Sequence, residues 1–196
     1  MAAARGPPGT GLPVTRSEPM GSAAETIAAE ARGESPLWAS ALLPVPDWEP
    51  VFSPLAPERF TLGLETIYEA YLVHYGRPRL FASGEESERV LLGDYLYAHG
   101  LVRVSKAGGV DAVAAMAELI SRCAALRSAG EPGDGDAWVD AARALGGEPA
   151  APEIAAALRR HASRIDPGAQ PASGAQPASG AQPAGGTPRA GDGTIP

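Results

Sequence analysis

The strongest hydrophobic pattern in the chain runs from residue 57 to residue 128. Phe60, Leu64, Ile67, Tyr71 and His74 recur at the 3.6-residue period, which predicts a helix ending near Tyr75-Gly76. Pro57 suits its first position and Glu58 its positive end. Ser83, with Glu86 three residues on, has the form of a capping box. It predicts a second helix running to about Lys106 and stopped by Gly108-Gly109. A third helix is predicted from Val110 to Ser128, with Val113, Met116, Ala117, Ile120, Ala124 and Arg127 on its inner stripe. Gly130 and Pro132 close it. Two shorter helices follow, over 136–145 and 152–165, with Trp138, Val139, Leu145, Ile154, Leu158 and Ile165 as their sizeable apolar contacts. No β-alternation lasts more than a few residues. The pattern predicts an all-α fold, a small helical bundle over 57–165 that is long enough for one core.

The flanks read differently. Residues 1–35 are rich in Ala, Gly and Pro and read as mostly disordered, apart from a short helix over 22–32. Ser22 would cap that helix and Gly33 end it. Ile27 is its only large apolar residue, so weak docking is expected. Residues 36–57 hold six prolines together with Trp38, Leu42, Leu43, Trp48, Val51 and Phe52. The stretch 36–56 is too hydrophobic for a linker and reads as an extended arm, packed over the helices or exposed for binding. After Asp166 comes a direct repeat, Gly-Ala-Gln-Pro-Ala-Ser at 168–173 and 174–179 and Gly-Ala-Gln-Pro-Ala-Gly at 180–185. Small residues and proline bury too little surface to offset chain entropy, so 166–196 reads as a disordered spacer, or a tether for Thr194-Ile195-Pro196.

Composition narrows the function classes. The net charge is −7, and no basic stripe is present to attract nucleic acid. Lys106 is the only lysine among 16 basic residues. Cys123 is the only cysteine, so no intramolecular disulfide forms, and a cytoplasmic location fits. Its inward helical position reads as a small buried hydrophobe. No apolar run has signal-peptide length or approaches a membrane span of about 20 residues.

The candidate chemistry centres on Val90-Leu91-Leu92-Gly93-Asp94-Tyr95-Leu96-Tyr97-Ala98. It reads as one buried helix carrying a single carboxylate, which is costly to bury without a partner. On a helix Asp94 shares a face with Val90, Ala98 and Leu101, and Tyr95 and Tyr97 add hydroxyls. Gly93 and Gly100, seven apart, let a neighbouring helix approach. The bland reading of Asp94 is a bond to Tyr, Arg or His of that neighbour. His74 sits at a helix C-terminus, where a capping role is expected. Arg77 and Arg79 suit a diphosphate or a partner's carboxylate, or else solvent. His99 and His161 lack ligand-spaced companions, and Asp134, Asp136 and Asp140 have the wrong spacing for Mg²⁺.

Three pieces of this chain occur in an order found in one enzyme family. They are the apolar helix Leu64-Glu65-Thr66-Ile67-Tyr68-Glu69-Ala70-Tyr71-Leu72-Val73-His74, then Gly76-Arg77-Pro78, then Leu91-Leu92-Gly93-Asp94-Tyr95-Leu96. Together they resemble a segment of the isoprenyl (polyprenyl) diphosphate synthases, over about residues 60–128. That family holds a Mg²⁺ cluster with two aspartate-rich motifs. Here Tyr75 and Gly76 follow His74 instead, no Asp-Asp pair occurs in the sequence, and the paired arginines before Gly76 are absent. The resemblance therefore implies a short, non-catalytic small subunit that binds a catalytic prenyltransferase, forms a heterodimer with it and leaves Mg²⁺ to it. It implies no catalytic, cofactor or metal residues in this chain. Tyr71, His74, Arg77, Arg79, Asp94, Tyr95 and Tyr97 are its candidates for partner or substrate contact. The alternative is a small helical adaptor without an isoprenoid role, using the 36–56 arm and the repeat tail as contact elements.

Overall fold

A computed structural model describes residues 22–165. The expectations for residues 1–21 and for the repeat tail from residue 166 lie outside the described residues. Six helices follow in order: α1 (Ser22–Glu34), α2 (Pro36–Ala41), α3 (Thr61–Tyr75), α4 (Glu86–Ala129), α5 (Asp134–Ala144) and α6 (Ala151–Arg164). Short 3-10 turns cover Ser53–Leu55 and Glu58–Phe60. Among the described residues there is no strand, only two isolated bridges, Leu42 to Phe81 and Gly76 to Ile165. The class is all-α.

Helix α4 is a hairpin. Its backbone breaks at Gly109, with φ 71° and ψ −157°, a conformation that costs a side-chain-bearing residue dearly. Phe60, just before α3, lies against Gly108, and His74, near the end of α3, lies against Gly93. Tyr71, one turn earlier, bonds Arg127. Both far ends of α4 thus flank the same end of α3, so the chain reverses at Gly109. The outgoing arm (86–108) runs antiparallel to α3 and the returning arm (110–129) runs back beside it. The Gly108-Gly109 stop expected from the sequence is this reversal.

Helix α3 is the central element, and every residue from Gly63 to Val73 is buried. One core joins it to the hairpin, α5 and α6 through Phe60, Leu64, Ile67, Tyr68, Val104, Met116, Cys123 and Trp138. The other joins it to α1 and α2 through Ile27, Ala31, Trp38, Val73, Leu80, Phe81, Leu92 and Leu96. Glycines set the spacing. A Cβ on Gly63 would lie 2.7 Å from Val104 Cγ2 and 3.3 Å from Val104 N. Gly63→Val should therefore cost about 3 kcal/mol, the upper end for overpacking. A lowered urea midpoint with unchanged helical circular dichroism would check it.

Several local expectations need correction. Helix α1 passes through Gly33 to Glu34, and it docks firmly. Ala23, Ala24, Ala28 and Ala31 are buried with Ile27, so small side chains give close approach where bulk is lacking. Arg103 ties α1 down through Glu30 and reaches Thr66 of α3. The Ser83–Glu86 capping box does not form. Helix α4 starts at Glu86 with no side-chain cap, because Ala82 N bonds Ala41 O at 2.8 Å and holds the preceding loop against α2. The inner stripe of the returning arm is Ala112, Met116, Leu119 and Cys123: Met116 and Cys123 are inward as expected, Ala112 and Leu119 replace Val113 and Ile120, which are half-buried, and Ala117 is exposed. Packing against α5 turns the arm. Ala115 and Leu119 share a shallow groove of about 160 Å³ with Ala137 and Ala141.

Residues 36–56 form α2 and then a strap over α3. Leu43 N bonds Leu80 O at 2.8 Å, Asp47 N bonds Arg79 O at 3.0 Å, and Val51 and Phe52 are buried.

Candidate functional site

Three polar clusters surround α3. The first unites three of the residues singled out in the sequence. The His74 ring packs over Gly93, so closely that a Cβ there would collide with it. It also stacks on Tyr97, with centroids 5.3 Å apart and planes at 13°. His74 Nε2 lies 3.5 Å from Asp94 Oδ1. Burial pulls the His74 pKa below its ordinary value; Asp94 opposes this and Arg89 adds to it. The imidazole is therefore neutral near pH 7. Burial likewise raises the Tyr97 phenol well above its ordinary value.

Asp94 itself is a correction. Its side chain is 69% exposed. Leu92, Gly93, Leu96, Gly100 and Val104 face the core, which places Asp94 with exposed Ala98 on the outer side of the arm. Its neighbours Val90 and Leu101 are half-buried. No desolvation cost arises, and the pairing with His74 is an edge contact.

The second cluster joins α3, the returning arm, α5 and α6. Tyr71 donates its hydroxyl hydrogen to Asp134, and Arg127 pairs with the same carboxylate. Arg127 Nε also donates to Tyr71 Oη at 2.9 Å. His161 lies between Tyr68 and Asp134, with Nδ1 3.1 Å from Tyr68 Oη and Nε2 3.4 Å from Asp134 Oδ2. Phe52 and Trp138 stack at 5.3 Å beside this network. Burial would raise the Asp134 pKa, but His161, Tyr71 and Arg127 outweigh it and hold the carboxyl well below its usual range. Burial, then the bond to Asp134, drives the Tyr71 phenol far up. Cys123 is nearby, and burial with help from Asp134 pushes its thiol up to about 12, so it is an inert core residue.

The third cluster is buried ion pairing around Arg79, whose side chain is 0% exposed. Arg79 NH1 bonds Glu65 Oε2 at 2.6 Å and Glu49 O at 3.0 Å, and Nε bonds Glu69 Oε2 at 2.9 Å. The backbone N–H groups of Arg79 and Leu80 both donate to Glu69 Oε1 at 2.8 Å, and Ser53 donates to Glu65. Trp48 covers the guanidinium at 4.0 Å. Burial would lower the Arg79 pKa, but Glu65 and Glu69 more than offset it. Every charge here has a partner, and the cluster fastens the strap and the α3–α4 loop to the central helix.

The other candidates stand apart from these. Arg77 is exposed and serves α6, with NH2 3.3 Å from Ser163 O and its backbone N 2.8 Å from Arg164 O. Tyr95 lies on the α1 side of the arm, with ring centroids 4.2 Å from His99 and 6.0 Å from Trp38. Tyr75, outside the predicted contact candidates, is the link between the first two clusters, its ring tilted against Tyr71 and His74 with centroids 5.3 Å and 5.7 Å away. Glu65, Glu69, Asp134, Arg127 and His161 were missed as a polar core. The available signal was two glutamates one helical turn apart in an otherwise apolar helix. Among the described residues no three His, Cys, Asp or Glu side chains are grouped as metal ligands, and no helix is long and apolar enough to cross a membrane. No protein-family model, curated protein or solved structure matches this chain.

Proposed function

We propose that this chain is a non-catalytic subunit of a polyprenyl diphosphate synthase, binding a catalytic prenyltransferase in isoprenoid biosynthesis, with quinone side chains as one destination. One observation carries the reading. The sequence pieces that resemble the synthases lie apart in the chain yet meet in space, where His74 stacks on Tyr97, covers Gly93 and reaches Asp94. The central helix and the antiparallel arm are thus joined through the residues that carry the resemblance. The chain's own charged groups near that point are engaged: Arg79 by two glutamates, Arg77 by the end of α6. Mg²⁺ would belong to the partner. Mixed with aspartate-motif synthases of its host, the protein should co-elute with one of them and change its product length. Alone, with Mg²⁺, isopentenyl diphosphate and farnesyl diphosphate, it should elongate nothing. Failure to associate with any host synthase, with product lengths unchanged, would sink the reading.

A second reading, a helical adaptor with no isoprenoid role, is favoured by a different observation. The apolar faces of α3 and the outgoing arm are covered from within the chain. Tyr68, Tyr71 and Leu72 pack against α5 and α6, while Leu92 and Leu96 pack against α1 and α2. A partner is not needed to close the core. Affinity capture from the host that returns no prenyltransferase but one reproducible other protein would select this reading.

A further inference from the structure

Helix α6 turns a basic face inward. Its buried residues are Ala157, His161 and Arg164, and Ala157 is all it adds to the fully buried apolar core. The half-buried Ile154, Leu158 and Ile165 supply its other apolar contacts. Its shorter neighbour α5 buries Ala137, Trp138, Val139, Ala141 and Ala142. What meets the α6 face is largely polar. Arg164 NH1 lies 2.9 Å from Asp47 Oδ2, and its NH2 donates to Asp47 O at 2.8 Å. Arg160 pairs with Glu49, and His161 lies between Tyr68 and Asp134. Arg77 holds the end of the helix, its backbone N donating to Arg164 O and its NH2 to Ser163 O. The two strap carboxylates are open to water, Asp47 with 69% and Glu49 with 51% of the side chain exposed. Pairs with such groups hold weakly and are screened by salt.

A segment with few buried apolar contacts and solvent-reaching polar ones opens before the rest of a fold. The chain also gives α6 a place to turn. Gly147 is fixed, its N–H bonding Ala142 O at 3.0 Å and its Cα so near Leu55 O that a Cβ would collide. Beyond it, Glu148 and Ala150 are exposed. We propose that α6 is a latch, a helix that undocks as a unit about residues 148–150 while α3, α4 and α5 stay folded. Undocking bares the face that His161 covers. That face holds the rings of Phe52, Tyr68 and Tyr71, with centroids 5.3 to 5.9 Å from the imidazole, and the Asp134 carboxylate. Asp47 and Glu49, on the strap, set how often it opens. This proposal is independent of the isoprenoid reading.

Amide hydrogen exchange on the full chain tests it, with α3 as the internal control. Amides of α6 should exchange at least about a hundredfold faster than those of α3, through an opening that leaves α3 protected. Raising sodium chloride from about 0.05 M to about 0.5 M should speed α6 exchange severalfold and leave α3 unchanged. Asp47→Asn should speed it by about tenfold, since Arg164 loses a charged acceptor. Both groups of the Arg160–Glu49 pair are well exposed, so exchanging their charges leaves the fold intact. Glu49→Arg alone should speed α6 exchange by about threefold, and adding Arg160→Glu should restore the parent rate. Protection of α6 equal to that of α3 overturns the proposal, because the helix then opens only with the whole fold. So does fast α6 exchange that ignores salt and these substitutions, because charge then does not hold the latch.

Discussion

Replacing Arg79 with alanine should destabilise the protein by about 3–5 kcal/mol, because two buried carboxylates then lose their countercharge. Domains of this size hold only about 5–15 kcal/mol in total, so the melting temperature should drop by about 10–20 °C. The strap should loosen with it, since Asp47 N, the Glu49 carbonyl and the Trp48 ring all converge on Arg79. Trp48 fluorescence would report that loosening before global unfolding. Arg79→Lys should recover only part of the loss. An ammonium cannot reproduce the fork that serves Glu65, Glu69 and the Glu49 carbonyl together. A triple variant with Glu65 and Glu69 as glutamine and Arg79 as methionine should regain part of the stability, since no unpaired charge remains and an amide oxygen at each position can still accept from Ser53 and from the backbone N–H groups of residues 79 and 80. A melting temperature for Arg79→Ala within a few degrees of the parent would contradict the account.

Arg79 also shows where sequence reading reached its limit. Its importance was legible, because an arginine beside Gly-Arg-Pro in a loop of otherwise apolar residues stands out. Its direction was not. Whether a loop arginine faces solvent, a ligand or the core depends on what lies opposite, and here Glu65 and Glu69 stand 14 and 10 residues away on the neighbouring helix. The helices themselves were legible because glycine and proline punctuate them: Gly76, Gly109 and Gly130 fall at real ends. Helical phase was less so. Asp94 and Leu92 are two residues apart and face opposite ways, and only the packing of Gly93 and Gly100 on α3 decides which is inside. The cover over α1's side was unreadable for a related reason. An alanine-rich helix lacks a strong apolar signal, yet its small side chains allow the closest docking.

Both buried ionic networks are anchored on α3, one through Glu65 and Glu69 and the other through Tyr68 and Tyr71. The networks hold α3 rigid from both sides, through the strap at one and through α5 and α6 at the other.

Asp134 should make the protein acid-labile in a way that one substitution removes. At neutral pH, Asp134→Asn should cost about 2–3 kcal/mol, since Tyr71, Arg127 and His161 lose a charged acceptor. The folded carboxyl titrates well below its ordinary value. In the unfolded chain it titrates near 3.9. The unfolded state therefore takes up a proton first as the pH falls. The stabilisation from Asp134 is complete above about pH 4 and fades below it. His74 adds to acid sensitivity at a higher pH, because its folded pKa is lowered and the neutral ring is the one that fits on Tyr97. Urea unfolding followed as a function of pH separates the two. Parent and Asp134→Asn should show parallel losses as His74 protonates, then converge below about pH 4 as the parent alone loses the Asp134 contribution. A gap that stays constant down to the acid transition would show that the carboxylate is not held low by this network.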